Sequence, residues 1–256
     1  MTRHTLPDYT GKYKQQTVYG NVDNGELAVR LGASSRFDRR GQTIWLDDFE
    51  AAILRWESTL ASPNTTCALS NVRALAGEQS MKLVTGDEAN NWCRITRNLA
   101  YPVLSKIGFE ISNTYAGYID RIAWEIKLWT GTRLYIAEVE WENSTNSLFY
   151  KSATDDANQF PVGTTTEFAT DVDFFSTTGG FNTCKLVVDF TTGRYVRFIH
   201  NDVTYDMSDL FYLDEAEAIT PPNMHVRVCL DGGDVGGATI ATVYYDNAIV
   251  TQNEDI

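Results

Sequence analysis

The stretch YIAEVEWEN, residues 135–143, sets Glu138, Glu140 and Glu142 at every second position. Alternate residues of a strand project to one face, so the three carboxylates stand in a single column. Paired carboxylates can serve as acid, base and nucleophile in glycoside cleavage. The retaining form of that chemistry needs two of them about 5 to 5.5 Å apart, one ionised and one protonated. Glu138 and Glu142 start about 13 Å apart at Cα and would have to lean together around a substrate. The plainer alternative is a sheet surface, in which Tyr135, Ala137, Val139 and Trp141 face inward and the glutamates stand in water. That solvated face is the expectation, and no catalytic residue is assigned.

Other chemistry is sparse. His4, His200 and His225 fall in separate segments, with no H-E-x-x-H, no G-x-S-x-G and no phosphate-binding glycine loop around them. Cys67, Cys93, Cys184 and Cys229 form no C-x-x-C pair. Four cysteines allow three disulfide connectivities that spacing cannot rank, and the expectation is four small buried hydrophobes. LDGGDVGG offers Asp231 and Asp234 to a cation, although Gly-rich turns bounded by Asp are commoner than metal loops. A sugar ring could stack on an accessible tryptophan. Trp56, Trp92, Trp129 and Trp141 are available, and Trp129 flanks a turn on the polar face of its strand. Trp129 and Trp141 are the ligand-binding candidates.

The elements that must position these residues are strands. RIAWEIKLW puts Ile122, Trp124, Ile126 and Leu128 on one face and Ala123, Glu125, Lys127 and Trp129 on the other, and TGT turns it into RLYIAEVEW. CKLVVDF, TTG and RYVRFIH repeat the pattern. Further strands are expected at 80–85, 92–97, 107–112, 147–151, 224–230 and 239–250, while FEAAILRW and LDEAEA could each form a helical turn or two. Many short two-sided strands joined by Gly, Asn, Asp and Thr-rich loops predict an all-β protein, a two-sheet antiparallel jelly-roll sandwich over residues 44–256.

The 256-residue chain carries a net charge of -13, which repels phosphate backbones and argues against nucleic acid as a partner. The charge is uneven: residues 1–43 hold seven Lys/Arg against four Asp/Glu, a net of +3, which leaves -16 for the rest. That polar segment, with Tyr9, Tyr13 and Tyr19 and one apolar cluster, ELAVRLG, cannot bury enough apolar surface to order itself. It predicts an extended arm that lies on a partner. No apolar run is long enough to cross a membrane and no export signal opens the chain.

Three stretches, WLDDFE at 45–50 followed by Trp56, AGEQSMKLVTG at 76–86 and VYYDNAIVTQ at 243–252, resemble β-jelly-roll carbohydrate-binding modules and the related concanavalin A-like lectin domains. In such modules these segments lie together and often hold one structural Ca²⁺. The resemblance implies Glu50 and Asp246 as carboxylate ligands, with the main-chain carbonyls of Asp48 and Ser80 completing the shell; hard oxygen donors suit Ca²⁺. EVEWE is also similar to a strand motif of the laminarinase and lichenase family. That likeness would make Glu138 the nucleophile, Glu140 the assisting residue and Glu142 the acid/base, but the family has Asp at the middle position.

LGASSRFDRRGQTIWLDDFE together with YYDNAIVTQNEDI also looks like structural proteins of tailed bacteriophages. The expectation is therefore a non-enzymatic virion protein, a capsid decoration or surface projection. Its arm would bind other virion proteins or copies of itself, and its body could meet a cell-surface glycan. A free carbohydrate-binding module or lectin is the alternative, and a retaining glycan hydrolase using Glu138 and Glu142 the third.

Overall fold

The computed structural model describes residues 40–62, 64–86, 91–102, 104–151, 165–177, 180–216, 220–232 and 240–255. The expected arm, with His4, and Asp234 of the glycine-rich loop lie outside the described residues. Two antiparallel sheets of eight strands each build the body, with no helix among the described residues.

Sheet A runs in the order β13 (Val203–Asp206), β12 (Arg194–His200), β11 (Asn182–Asp189), β6 (Lys106–Ala116), β16 (Thr242–Gln252), β4 (Ser80–Val84) and β3 (Thr66–Ser70), and β1 (Gln42–Asp47) also pairs with β16. Sheet B runs β10 (Thr165–Ala169), β9 (Ser147–Lys151), β8 (Arg133–Glu142), β7 (Arg121–Trp129), β15 (Asn223–Asp231), β5 (Trp92–Leu99) and β2 (Glu57–Leu60), with β14 (Leu213–Ala216) also on β8. The jelly-roll sandwich expected from strand alternation is the observed fold. LDEA, expected as part of a helical turn, is instead β14. β8 extends past the end of β9, and β14 pairs along that free stretch and buries Leu213 against Leu134 and Ile136.

The core fills the space between the sheets. Ile122, Trp124, Ile126 and Leu128 of β7 meet Leu186, Val188 and Phe198 of sheet A in one continuous cluster. β16 contributes Val243 and Tyr245 and then Ala248 and Val250. Its inward parity changes at an irregularity between Asp246 and Ile249, where Asn247 adopts φ 53°. Such a bulge re-aims side chains locally. Here it marks the point where β16 exchanges β4 for β1 as its neighbour: residues 242–245 pair with β4 and residues 248–252 with β1.

One side chain ties the sheets together through the core. Tyr195 of β12 is buried, and its hydroxyl accepts from the Glu138 amide at 3.0 Å and donates to the carbonyls of Glu138 at 3.0 Å and Lys151 at 3.3 Å. The β8–β9 ladder stops at Val139 opposite Tyr150, and β14 begins its pairing at Ile136. The hydroxyl thus satisfies β8 main-chain groups in the gap between its two neighbours.

The outer face of sheet A carries a second buried anchor. Lys185 Nζ lies 2.7 Å from Glu254 Oε1, and Arg197 donates to Glu254 Oε2 at 2.6 Å. Lys185 also donates to the carbonyl of Arg40 at 3.3 Å. The segment entering β1 and the segment leaving β16 therefore meet on this face.

Candidate functional site: the charged outer face of sheet B

The register of β15, β7 and β8 sets Arg227 opposite Glu125 and Glu125 opposite Glu138. Each of these side chains follows the polar parity of its strand, so they share the face turned away from the core. Lys151 follows Tyr150, the partner of Val139, and extends the row onto β9. His225 and Lys127 form the adjoining row, and Cys229, Ala123 and Glu140 the row on the other side.

This face is not the solvated surface expected from β8 alone. Glu138 is 8% exposed and Glu140 3%; only Glu142 is half-exposed. The physical reason lies across the sheet. Buried charges need partners, and here cations from neighbouring strands supply them. Glu125 carboxylate oxygens lie 3.1 Å from Arg227, 3.3 Å from Lys127 and 3.4 Å from His225. Arg121 reaches Glu140 at 3.9 Å and Glu142 at 3.6 Å, and Thr145 donates to Glu142 at 2.9 Å. The two ends of the proposed hydrolase pair, Glu138 and Glu142, are thus tied to different partners.

These surroundings divide the carboxyl groups. Glu125 is held well below the ordinary carboxylate range by Arg227 and Lys127 and by the nearby His225, which together outweigh the cost of burial. Glu138 moves the other way, to about 8, because of burial first and then the charge of Glu125 directly opposite. Burial also raises Glu140 and pushes His225 down to about 4, which leaves its imidazole neutral. One ionised and one protonated carboxyl side by side can accept and donate hydrogen bonds at the same pH.

Two half-buried tryptophans bracket this floor. Trp129 packs beside Leu134, Ile136 and Leu213 and stands edge-on to His225 with ring centroids 4.7 Å apart. Trp92 rests on Ala123 and Cys229 with the Arg94 guanidinium 4.8 Å from its ring. Its partner Asp231 is also opposite Arg121, so Trp92 belongs to the row of Arg121 while Trp129 closes the other end of β7. The two rows are roughly 26 Å apart at the strand rise. Trp141, the other expected platform, is only 1% exposed and belongs to the core, where its indole donates to the Val172 carbonyl at 2.8 Å; it cannot stack on a ligand. Asp231 is buried. The four cysteines are free, with Cys93, Cys184 and Cys229 buried.

Of the residues expected at a metal centre, Glu50 lies near enough to Asp246 for its charge to be felt there, beside the fork where β16 leaves β4 for β1. Asp246 Oδ2 accepts from the amides of Leu75 at 2.7 Å and Ala76 at 3.2 Å, while Glu50 Oε1 accepts from Glu78 at 2.9 Å and Gln79 at 3.0 Å. Asp48 turns back to accept from the Glu50 amide at 3.1 Å, and the Ser80 hydroxyl donates to the Arg73 carbonyl. Burial, with the nearby Glu50 charge adding to it, raises Asp246 to about 6. Among the described residues no group of three or more His, Cys, Asp or Glu side chains could hold a metal ion, so main-chain carbonyls or waters would have to complete any shell.

No protein-family model and no curated protein sequence matches the chain. Solved structures do. An endo-β-1,4-glucuronan lyase from the fungus Trichoderma reesei is similar at 10% identity with a TM-score of 0.52, over 83% of this chain and 96% of that one. The cellulose-induced protein Cip1 is similar at 15% identity and TM-score 0.49, over 81% and 96%. The carbohydrate recognition domain of Emp47p matches at 11% identity and TM-score 0.49, over 86% and 99%. At these identities the likeness concerns the fold.

Proposed function

We propose that this chain is a glycan-binding jelly roll that holds its ligand on the outer face of sheet B, between Trp92 and Trp129. The observation that carries the reading is the bracketed floor itself. Two indole rings offer flat apolar surfaces, and the charged row between them offers hydrogen-bond donors and acceptors to sugar hydroxyls. The fold is also one on which the glucuronan lyase handles a polysaccharide. The reading is non-enzymatic, because the carboxyl groups that retaining hydrolysis would pair are engaged elsewhere.

The test is affinity electrophoresis of the full chain through gels containing β-glucan, xylan, glucuronan or bacterial surface polysaccharide. At least one should retard migration, and Trp129→Ala or Trp92→Ala should weaken that retardation up to about tenfold, the scale of one aromatic contact. Migration unaffected by all four polysaccharides would rule out the reading.

A second reading, that the domain is displayed on a tailed-bacteriophage virion by residues 1–43, is favoured by the position of Arg40. The arm would leave from the outer face of sheet A, opposite the glycan face, so the body could be anchored by one side and present the other. The arm would bind other virion proteins or further copies of this chain. Density-gradient fractionation of a lysate should then place the chain with intact particles at fixed stoichiometry, and a chain lacking residues 1–43 should fold without joining them. Recovery of the full chain only among free proteins would discard this reading.

A further inference from the structure

The Glu125–Glu138 contact has a chemical requirement of its own. The two residues are directly opposite on β7 and β8, project to the same face and are both buried. Two ionised carboxylates have only acceptors and repel each other, so side by side in a buried row they are accommodated when one of them carries a proton. The donors are unevenly shared. Arg227, Lys127 and His225 all converge on Glu125 within 3.4 Å, whereas the charges of Lys151, Lys127, Arg227 and Arg94 that reach Glu138 are outweighed by its burial and by the charges of Glu125 and Glu140.

We propose that Glu125 and Glu138 form a proton-sharing acid pair in which Glu138 carries the proton, and that loss of this proton disassembles the floor of the sheet B face and releases its glycan. The ligand half of the proposal rests on the glycan-binding reading; the proton half does not. The second negative charge would arise at a group with little access to water, beside an anion that is already ionised. The row Arg227, Glu125, Glu138, Lys151 could then remain intact only against direct repulsion.

Every neighbouring strand contributes to the balance. From β7 the facing groups are Glu125 and Lys127, and from β15 His225 and Arg227. β9 contributes Lys151, β5 contributes Arg94, whose charge is felt across the row, and β10 contributes Thr165, which hydrogen-bonds Glu140. The imidazole of His225 is neutral well above pH 4 and gives the pair no further positive charge near neutrality. Trp129, edge-on to His225, provides an optical reporter of the floor.

The direct experiment is carboxyl-carbon NMR of the full chain labelled at glutamate, titrated from about pH 5 to 10, with no ligand present. One glutamate should titrate near pH 8. Its signal should be missing in Glu138→Gln, which presents an N–H donor where the proton was, and its midpoint should fall in Glu125→Gln. Indole fluorescence should change over the same range in the wild type and not in Trp129→Phe. If Glu125→Gln fails to fold, the Glu138→Gln comparison still decides the matter. Titration of every glutamate below about pH 6 would overturn the proton sharing. With a polysaccharide that retards the chain at pH 6, retardation should be lost by pH 9 in the wild type, and the ratio of retardation at pH 6 to that at pH 9 should shrink toward one in Glu138→Gln, whatever its retardation at pH 6. Retention that is indifferent to pH while the carboxyl titrates would overturn the release. Absence of any glycan binding would instead count against the glycan reading and the release together, with the carboxyl titration still deciding the proton.

Discussion

The hydroxyl of Tyr195, reaching through the core from sheet A, accepts from the amide of Glu138 and donates to its carbonyl, both at 3.0 Å. The residue that carries the unusual carboxyl on the outer face is therefore positioned from the inner one. Tyr195→Phe would leave an amide and two carbonyls without this partner in a dry environment. It should cost about 1–3 kcal/mol, read as a lower urea midpoint with an unchanged slope. Unchanged stability would mean that solvent or a shifted strand replaces the hydroxyl.

Glu254 pairs with both Lys185 and Arg197, and all three side chains are buried. Removing one member of such a group leaves uncompensated charge inside the protein, which typically costs about 3–5 kcal/mol. Glu254→Ala should fall in that range by chemical denaturation, whereas Glu142→Ala, at a half-exposed position, should cost under about 1 kcal/mol. Similar effects from the two substitutions would show that the cluster on sheet A is dispensable.

Stability should be highest slightly below neutrality. His200 and His225 are both lowered by burial to about 4. Between about pH 6.5 and 4 the unfolded chain takes up protons that the native one refuses, so stability is lost as pH falls. Asp246, raised to about 6, acts in the opposite sense up to that pH, and Glu138 does so over a wider range. Its folded value of about 8 lies above the ordinary 4.5, so the native state retains a proton that the unfolded chain releases, and stability declines as pH rises from about 4.5 to 8. Denaturation midpoints should decline from about pH 6.5 to 8, and Glu138→Gln should remove that decline and make the midpoints rise more steeply between about pH 4.5 and 6.5.

Calcium, if held by Glu50 and Asp246 with the carbonyls of Asp48 and Ser80, binds the native state and must raise its melting temperature. The chain melted with excess Ca²⁺ should be more stable than with chelator, and Asp246→Asn should narrow the gap. Identical melting curves would remove the metal.

The sandwich was legible because two-sided strands advertise themselves: β7, β8, β11 and β12 alternate as written, with their turns in place. The environment of Glu138 was not. A strand's sequence gives the spacing of its own charges but not the identity of what lies across the ladder, and Arg227, Lys127 and Lys151 arrive from three different strands. β14 escaped for a related reason, since LDEA contains good helix formers and becomes a strand only because β8 offers it an edge. The Glu50 and Asp246 positions were reached through resemblance, and the structure places both against residues 75–79. Tyr195 and Glu254 gave no signal: a tyrosine in a strand and a glutamate near the chain end look ordinary until their partners are known.

β16 occupies the middle of sheet A, although it follows every other described strand in sequence. β6 lies on one side of it, and β4 and β1 share the other, so three earlier strands depend on residues 242–252 for a neighbour. During synthesis these strands must wait, unpaired along that edge, until residues 242–252 have left the ribosome. A chain stopped before residue 242 would retain the hairpins of sheet B but could not close sheet A, leaving Phe109, Leu83 and their neighbours uncovered. Ribosome-bound intermediates should consequently attract chaperones and proteases until residues 242–252 emerge, and closure of sheet A would follow the arrival of that one strand.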